Sequence, residues 1–125
     1  MSRATAVRQL IVKCTAGVDE PERCAQAFTV AATAVAAGAQ VSLWLTGEAS
    51  WLAVPGRAEA FVLPESAPLA DLRDAVLGGG TLTVCTQCAA RRNITPGDLV
   101  GGARIAGAAT FVAEVLEPDA QALVY

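Results

Sequence analysis

Histidine is absent from the 125 residues. This excludes Ser-His-Asp and Cys-His catalysis within one chain, and every zinc site that needs an imidazole. Any nucleophile must be activated by other means. Aromatic residues make up only 5% of the chain and charged residues 17%. The net charge is −3 and the pI about 4.8, so no basic footprint exists for a phosphate backbone and nucleic acid is not expected as a direct ligand. Arg57, Arg73, Arg91, Arg92 and Arg104 are scattered among acids, with one adjacent pair. Long hydrophobic runs are missing too. AFTVAATAVAAGA is Ala-rich, broken by threonines and bounded by charge, and falls short of the roughly 20 apolar residues of a membrane span. The opening MSRATAVRQLIVKC has no apolar region followed by a small-residue cleavage site, so no secretory signal is read there. The expectation is a cytoplasmic chain with no membrane partner. In that compartment four cysteines are free thiols, ligands or catalytic groups rather than structural bridges.

What is present is an apolar chain of one-domain length, 1–125, with 54% hydrophobic residues and a mean hydropathy of +0.45. It is large enough to bury roughly two thirds of its unfolded surface without a metal or disulfide. So apolar a small domain is expected to hide part of its surface against copies of itself. Continuously apolar runs at 9–13 (QLIVK), 41–45 (VSLWL) and 81–84 (TLTV) read as buried strands. A brief strand at 61–63 and a closing one at 122–125 complete about five. Helices are expected over 22–37, with Asp19 as N-cap and Glu22 closing a capping box, and over 48–54, 68–77, 86–92 and 106–117. Asn93 suits a left-handed helix end, 95–98 a short turn or helix, and Gly101 and Gly102 a mobile loop. Alternation of such strands and helices predicts a three-layer α/β/α sandwich on a mainly parallel sheet.

In such sheets, sites lie outside the carboxyl ends of the strands. Three ends carry small polar or reactive groups: Cys14-Thr15, Thr46-Gly47-Glu48 and Cys85-Thr86. Cys85 stands where strand becomes helix, so first-turn amides can point at its sulfur. An ordinary thiol is roughly 3% ionised at neutral pH, and a helix start can raise that to about half or more. Cys88 lies one turn on and Arg92 another turn beyond.

Four readings of the cysteines stand open. Cys85 is a reactive thiol carrying sulfur or joining mixed disulfides; or Cys85 and Cys88 form a C-x-x-C redox pair; or the cysteines hold a metal; or they fill the core. The metal reading is poorly served, because C-x-x-C supplies two ligands and the nine residues between Cys14 and Cys24 match no standard zinc spacing. Cys24, on an apolar helix face, reads as core. Glu48 reads as a helix-start carboxylate or a proton-transfer group on the rim. Trp44 and Trp51 read as core or interface, and the glycine clusters fit no phosphate loop, so neither metal nor cofactor is called.

Taken in order, the opening strand and small-residue loop, VSLWLTG, LTVCTQCAARRNI and RIAGAATFVAEVLEPDAQALVY resemble the DsrE/TusD/YchN-like (DsrE/DsrF-like) sulfur-relay family over nearly the whole chain. That resemblance implies the DsrE/DsrF-like fold. It also implies a cysteine at the strand end, here Cys85, that accepts sulfane sulfur as a persulfide and passes it on. Cys88 falls where only some members have a second cysteine, with a resolving or auxiliary role. Homotrimers, homohexamers or heterohexamers with paralogous subunits, sulfur donor and acceptor proteins, and no cofactor are implied as well. Two departures stand out: TGEASW replaces an Asp-Gly-Val-like loop after the second strand, and Asn93 replaces a glycine after the arginines.

Overall fold

The computed structural model describes residues 8–125. Residues 1–7, part of the stretch read as lacking a signal, lie outside the described residues. Five strands form one parallel sheet: β1 (Gln9–Cys14), β2 (Gln40–Leu45), β3 (Gly80–Cys85), β4 (Arg104–Ala106) and β5 (Ala120–Val124), in the order β4-β3-β2-β1-β5. Helices α1 (Pro21–Ala36), α2 (Leu69–Gly79), α3 (Thr86–Arg91) and α4 (Ala108–Val115) connect them, with 3-10 segments at Gly47–Ala53 and Pro96–Asp98. No helix among the described residues is long and apolar enough to cross a membrane.

Handedness places the layers. From β1 through β4 each crossover steps the same way across the sheet, and the return to β5 steps the other way. Right-handed crossovers therefore put α1 and α2 on one face and α4 on the other. Strand residues sort accordingly, because side chains alternate. Val12, Leu43, Leu45, Leu82 and Val84 are buried with Phe28, Ala31 and Val76 of α1 and α2. The α4 face is more polar. There Ser42 and Trp44 donate to the Glu114 Oε1 carboxylate oxygen at 2.6 and 3.0 Å, Arg104 donates to Thr83 and to Glu114, and Phe111 meets Trp44 edge-on at 5.3 Å. Burial pushes the Glu114 carboxyl up, but the hydrogen bonds from Ser42, Trp44 and Arg104 outweigh it and hold the group below the ordinary carboxylate value.

Several boundaries differ from the sequence reading. Residues 61–63 form no strand: they sit between a run of turns and Pro64, with Val62 pointing to solvent. The fifth strand is instead Arg104–Ala106, three residues hidden behind the double glycine and partly assigned to the last helix. Asp19 does not cap α1. Its carboxylate accepts the Gly17 N–H at 2.8 Å, and Glu20 takes the cap position without a side-chain bond. The capping box is formed further on, between Thr95 and Asp98. Helix α2 does not end at 77 as expected but runs through Gly79. A Cβ there would lie 2.4 Å from Val35 Cγ1, so the glycine lets α2 press against α1.

The loop between the 3-10 segment and α2 is fixed by an ion pair. Arg73, buried on α2, donates to both Glu59 oxygens at 3.0 and 2.9 Å. The Arg73 hydrogen bonds hold the Glu59 carboxyl well down, at about 2 against 4.5 for the free group. A carboxylate depressed on folding contributes stability above its unfolded value and loses it as pH falls through the folded one. Thermal midpoints should therefore fall between pH about 4.5 and about 2, and Glu59→Gln should flatten that part of the profile. A variant curve parallel to wild type would show that the pair contributes nothing.

Candidate functional site

Cys85 ends β3 and caps α3, with its backbone extended (φ −62°, ψ 134°). That geometry turns its side chain toward the first amides of α3. Burial pushes the Cys85 thiol up, but the N–H groups of Cys88 and Gln87, the Cys88 thiol and the Lys13 ammonium outweigh it. The group lies below the ordinary thiol value. The sulfur is half-buried, and its thiol donates to Gln87 Oε1 at 3.4 Å.

Cys88 is also half-buried and free, and accepts the Gly47 N–H on its sulfur at 3.3 Å. Gly47 holds φ +56°, and a Cβ on it would lie 2.9 Å from the Thr15 carbonyl oxygen. Glycine is required on both counts. Next to it Glu48 Oε2 accepts Arg92 Nε and Nη2 at 3.0 and 2.9 Å, while Arg92 Nη1 donates to the Cys88 carbonyl at 3.1 Å. Arg92 thus ties the end of α3 to the 3-10 segment, and Asn93 closes it at φ +55°. The two arms of the rim, after β2 and after β3, are joined around Cys88.

The structure brings together Cys85, Cys88, Thr86, Glu48 and Arg92 from the candidate set. Thr86 is exposed and packs toward Gly107. Three candidates are turned to other uses. Thr46 donates its N–H and hydroxyl to the Cys14 carbonyl. Thr15 donates its N–H and hydroxyl to the Tyr125 carbonyl at 2.9 and 2.6 Å. Cys14 is fully buried, its thiol donating to the Ala16 carbonyl at 3.2 Å beside Cys24. The hydrogen bond with Cys14, burial and the neighbouring Cys14 sulfur push Cys24 above the ordinary thiol range. Between β1 and β5, where the strand order reverses and a ligand crevice is normally found, the Tyr125 backbone is bonded to Lys13 and Thr15. The open rim is displaced to β2 and β3.

Sequence reasoning missed Lys13, Gln87 and the Gly47 amide. Lys13 carried a readable signal: it is the one lysine of the chain, one residue from the end of an apolar strand. Its alternation places it on the α4 face with Trp44 and Cys85, where its ammonium lies 4.6 Å over the Phe111 ring. The Gly47 contact joins residues 41 apart and leaves no local mark.

Two cavities lie at opposite ends of the sheet, and one of them touches the rim. One of about 540 Å³ opens at the opposite, amino ends of the strands, bordered by Gln40, Ser42, Thr81 and Arg104. A smaller one of about 200 Å³ touches the rim through Glu48 and is walled by Trp51, Leu52 and Arg57. Among the described residues, no three Cys, Asp or Glu side chains converge to hold a metal.

Fold and rim define a class: parallel α/β proteins that present a strand-end cysteine beside a second one. The sequence matches the DsrE/DsrF-like family over residues 9–121, and the chain belongs to that family. No curated protein sequence matches it. Among solved structures, the ychN protein from E. coli superposes with a TM-score of 0.79 at 14% identity, covering 95% of this chain and 100% of its own. MTH1491, a protein of unknown function from Methanobacterium thermoautotrophicum, superposes with a TM-score of 0.69 at 8% identity, covering 94% and 99%. Both are similar in fold.

Proposed function

We propose that this protein is a sulfur carrier of the sulfurtransferase type, accepting sulfane sulfur as a persulfide on Cys85 and handing it to a partner thiol. Membership of the DsrE/DsrF-like family is consistent with that role. The observation that carries it is the environment of one sulfur: Cys85 is free, half-buried, and held below the ordinary thiol value despite burial. The Cys85 thiolate attacks the outer sulfur of a donor persulfide, the donor thiolate leaves, and Cys85 keeps the sulfur. An acceptor thiolate then attacks that outer sulfur and Cys85 is regenerated. Gln87 and Cys88 amides and Lys13 favour the anion at both ends of the cycle. No cofactor enters these steps.

The partners proposed are donor and acceptor proteins of the cytoplasm and further copies of this chain, as a homotrimer or homohexamer. Support for self-association comes from α4 and β5. No residue of α4 is fully buried, and Val112, Leu116, Leu123 and Val124 are exposed, an apolar surface of the kind that marks interfaces.

Incubation with a persulfide donor followed by mass spectrometry of digested protein tests the reading. One added sulfur on the peptide bearing Cys85, absent from Cys85→Ala, is expected. No addition to wild type, or an equal addition to Cys85→Ala, refutes it.

A further inference from the structure

The small cavity beside the rim carries two opposite charges that the carrier cycle does not use. Its volume of about 200 Å³ holds roughly seven waters at their liquid share of ~30 Å³ each. That is room for one amino acid. Buried Leu52 and half-buried Trp51 give it an apolar wall. The Arg57 guanidinium lies 4.4 Å from the centre of the Trp51 ring. Stacking of this kind fixes the cation and uses none of its N–H donors. Among the described residues, no carboxylate pairs with it. Glu48, on the same cavity, gives only its Oε2 to Arg92, which leaves Oε1 to accept a further donor. Glu48 also joins the cavity to the cysteines. It follows Gly47, whose N–H meets the Cys88 sulfur at 3.3 Å, and its partner Arg92 bonds the Cys88 carbonyl.

We infer that this cavity binds the charged head of a free amino-acid persulfide, which serves Cys85 as a small-molecule sulfur donor alongside donor proteins. This rests on the carrier reading above and names a substrate class for it. Arg57 takes the α-carboxylate through paired N–H donors. Glu48 takes the α-ammonium, and the methylene lies against Trp51 and Leu52. The sulfane end extends along the rim past Gly47 to the cysteines. The Cys85 thiolate attacks the outer sulfur and the donor's sulfur–sulfur bond breaks. The amino-acid thiolate leaves with the electron pair and takes up from water the proton that Cys85 gave up on ionising. One sulfur moves between two thiols, with no net oxidation and no further reactant. A cysteine inside a protein chain has its amino and carboxyl groups in peptide bonds, so this cavity selects the free amino acid.

The test compares hydropersulfides made fresh from their disulfides and sulfide: that of cysteine, that of cysteamine, which lacks the carboxylate, and that of 2-mercaptoethanol, which lacks both charges. Mass spectrometry reads the initial rate of sulfur gain at Cys85, at low donor concentration, in wild type and Arg57→Gln. Arg57 is exposed, so the substitution leaves the fold in place. Arg57→Gln should slow loading from cysteine persulfide about tenfold, the loss of hydrogen bonds between charged groups. Loading from cysteamine and mercaptoethanol persulfides should stay at the wild-type rate. S-methylcysteine, which has the head and no sulfane sulfur, should inhibit loading of wild type from cysteine persulfide and leave Arg57→Gln unaffected. A cysteine persulfide rate unchanged by Arg57→Gln, or an equal loss with all three donors, overturns the inference and leaves the carrier reading standing. If no donor adds sulfur to Cys85 in wild type, the carrier reading fails and the donor assignment with it.

Discussion

Trp44→Ala is expected to cost about 3–5 kcal/mol of folding stability, the range for emptying a large aromatic site in a packed core. Trp44 is 2% exposed and lies in the central strand. Its indole N–H donates to Glu114 at 3.0 Å, its ring takes the edge of Phe111, and Arg104 sits 5.8 Å from its centre. Removing it opens a cavity under α4 and takes one of the donors that hold the Glu114 carboxylate charged. Trp44→Phe separates the two effects. It keeps most of the ring volume and removes the N–H, and Ser42 and Arg104 still serve Glu114, so about 1–2 kcal/mol is expected. Urea unfolding monitored by far-UV circular dichroism measures both. A Trp44→Ala loss under about 1 kcal/mol would mean that α4 is held by something other than this seam.

The same seam explains what was and was not legible in the sequence. Strands β1, β2 and β3 could be read because each is a short, largely apolar run whose Val12, Leu43, Leu45, Leu82 and Val84 side chains are buried under α1 and α2. β4 could not: it is an edge strand of three residues, and its first, Arg104, reaches across the sheet to Thr83 and Glu114. Conversely Phe61 and Leu63 have the composition of a strand but follow turns and meet Pro64, which lacks an amide for a ladder. At the site, strand-end position and one-turn spacing were enough to single out Cys85, Cys88 and Arg92, since all three belong to one short stretch. Cys14 occupies an equivalent strand end and faces inward, toward Cys24. Which way a strand-end side chain turns depends on the register of the whole strand and on what packs above it. Cys14 falls on the α1 face and Cys85 on the opposite one.

Gly47 decides whether the two arms of the rim meet, and replacing it separates local strain from close packing. Gly47→Ala must hold a Cβ at φ +56° and place it 2.9 Å from the Thr15 carbonyl. The first demand costs an L-residue about 1–2 kcal/mol, and the second forces backbone to move. Gly56 supplies the control for conformation alone, with φ +88° and nothing within 4 Å of a Cβ. Gly17 supplies the control for packing alone: its φ is ordinary, and a Cβ would lie 2.6 Å from the Glu48 carbonyl oxygen. The expected order is Gly56→Ala at about 1 kcal/mol and Gly47→Ala at about 2–4 kcal/mol. Gly17→Ala should resemble Gly47→Ala in its effect on the site. In both of those variants the 3-10 segment is displaced, so the Gly47 N–H leaves the Cys88 sulfur and Glu48 leaves Arg92. The rate of alkylation at Cys88 reads that displacement directly, and it should change in Gly17→Ala and Gly47→Ala while staying at the wild-type value in Gly56→Ala. Equal stability losses for Gly47→Ala and Gly56→Ala, with Cys88 reacting alike in all three, would mean that the loop after β1 does not set the position of this thiol. The contact between Thr15 and Gly47 would then be incidental, and the arrangement of the two cysteines would follow from α3 alone.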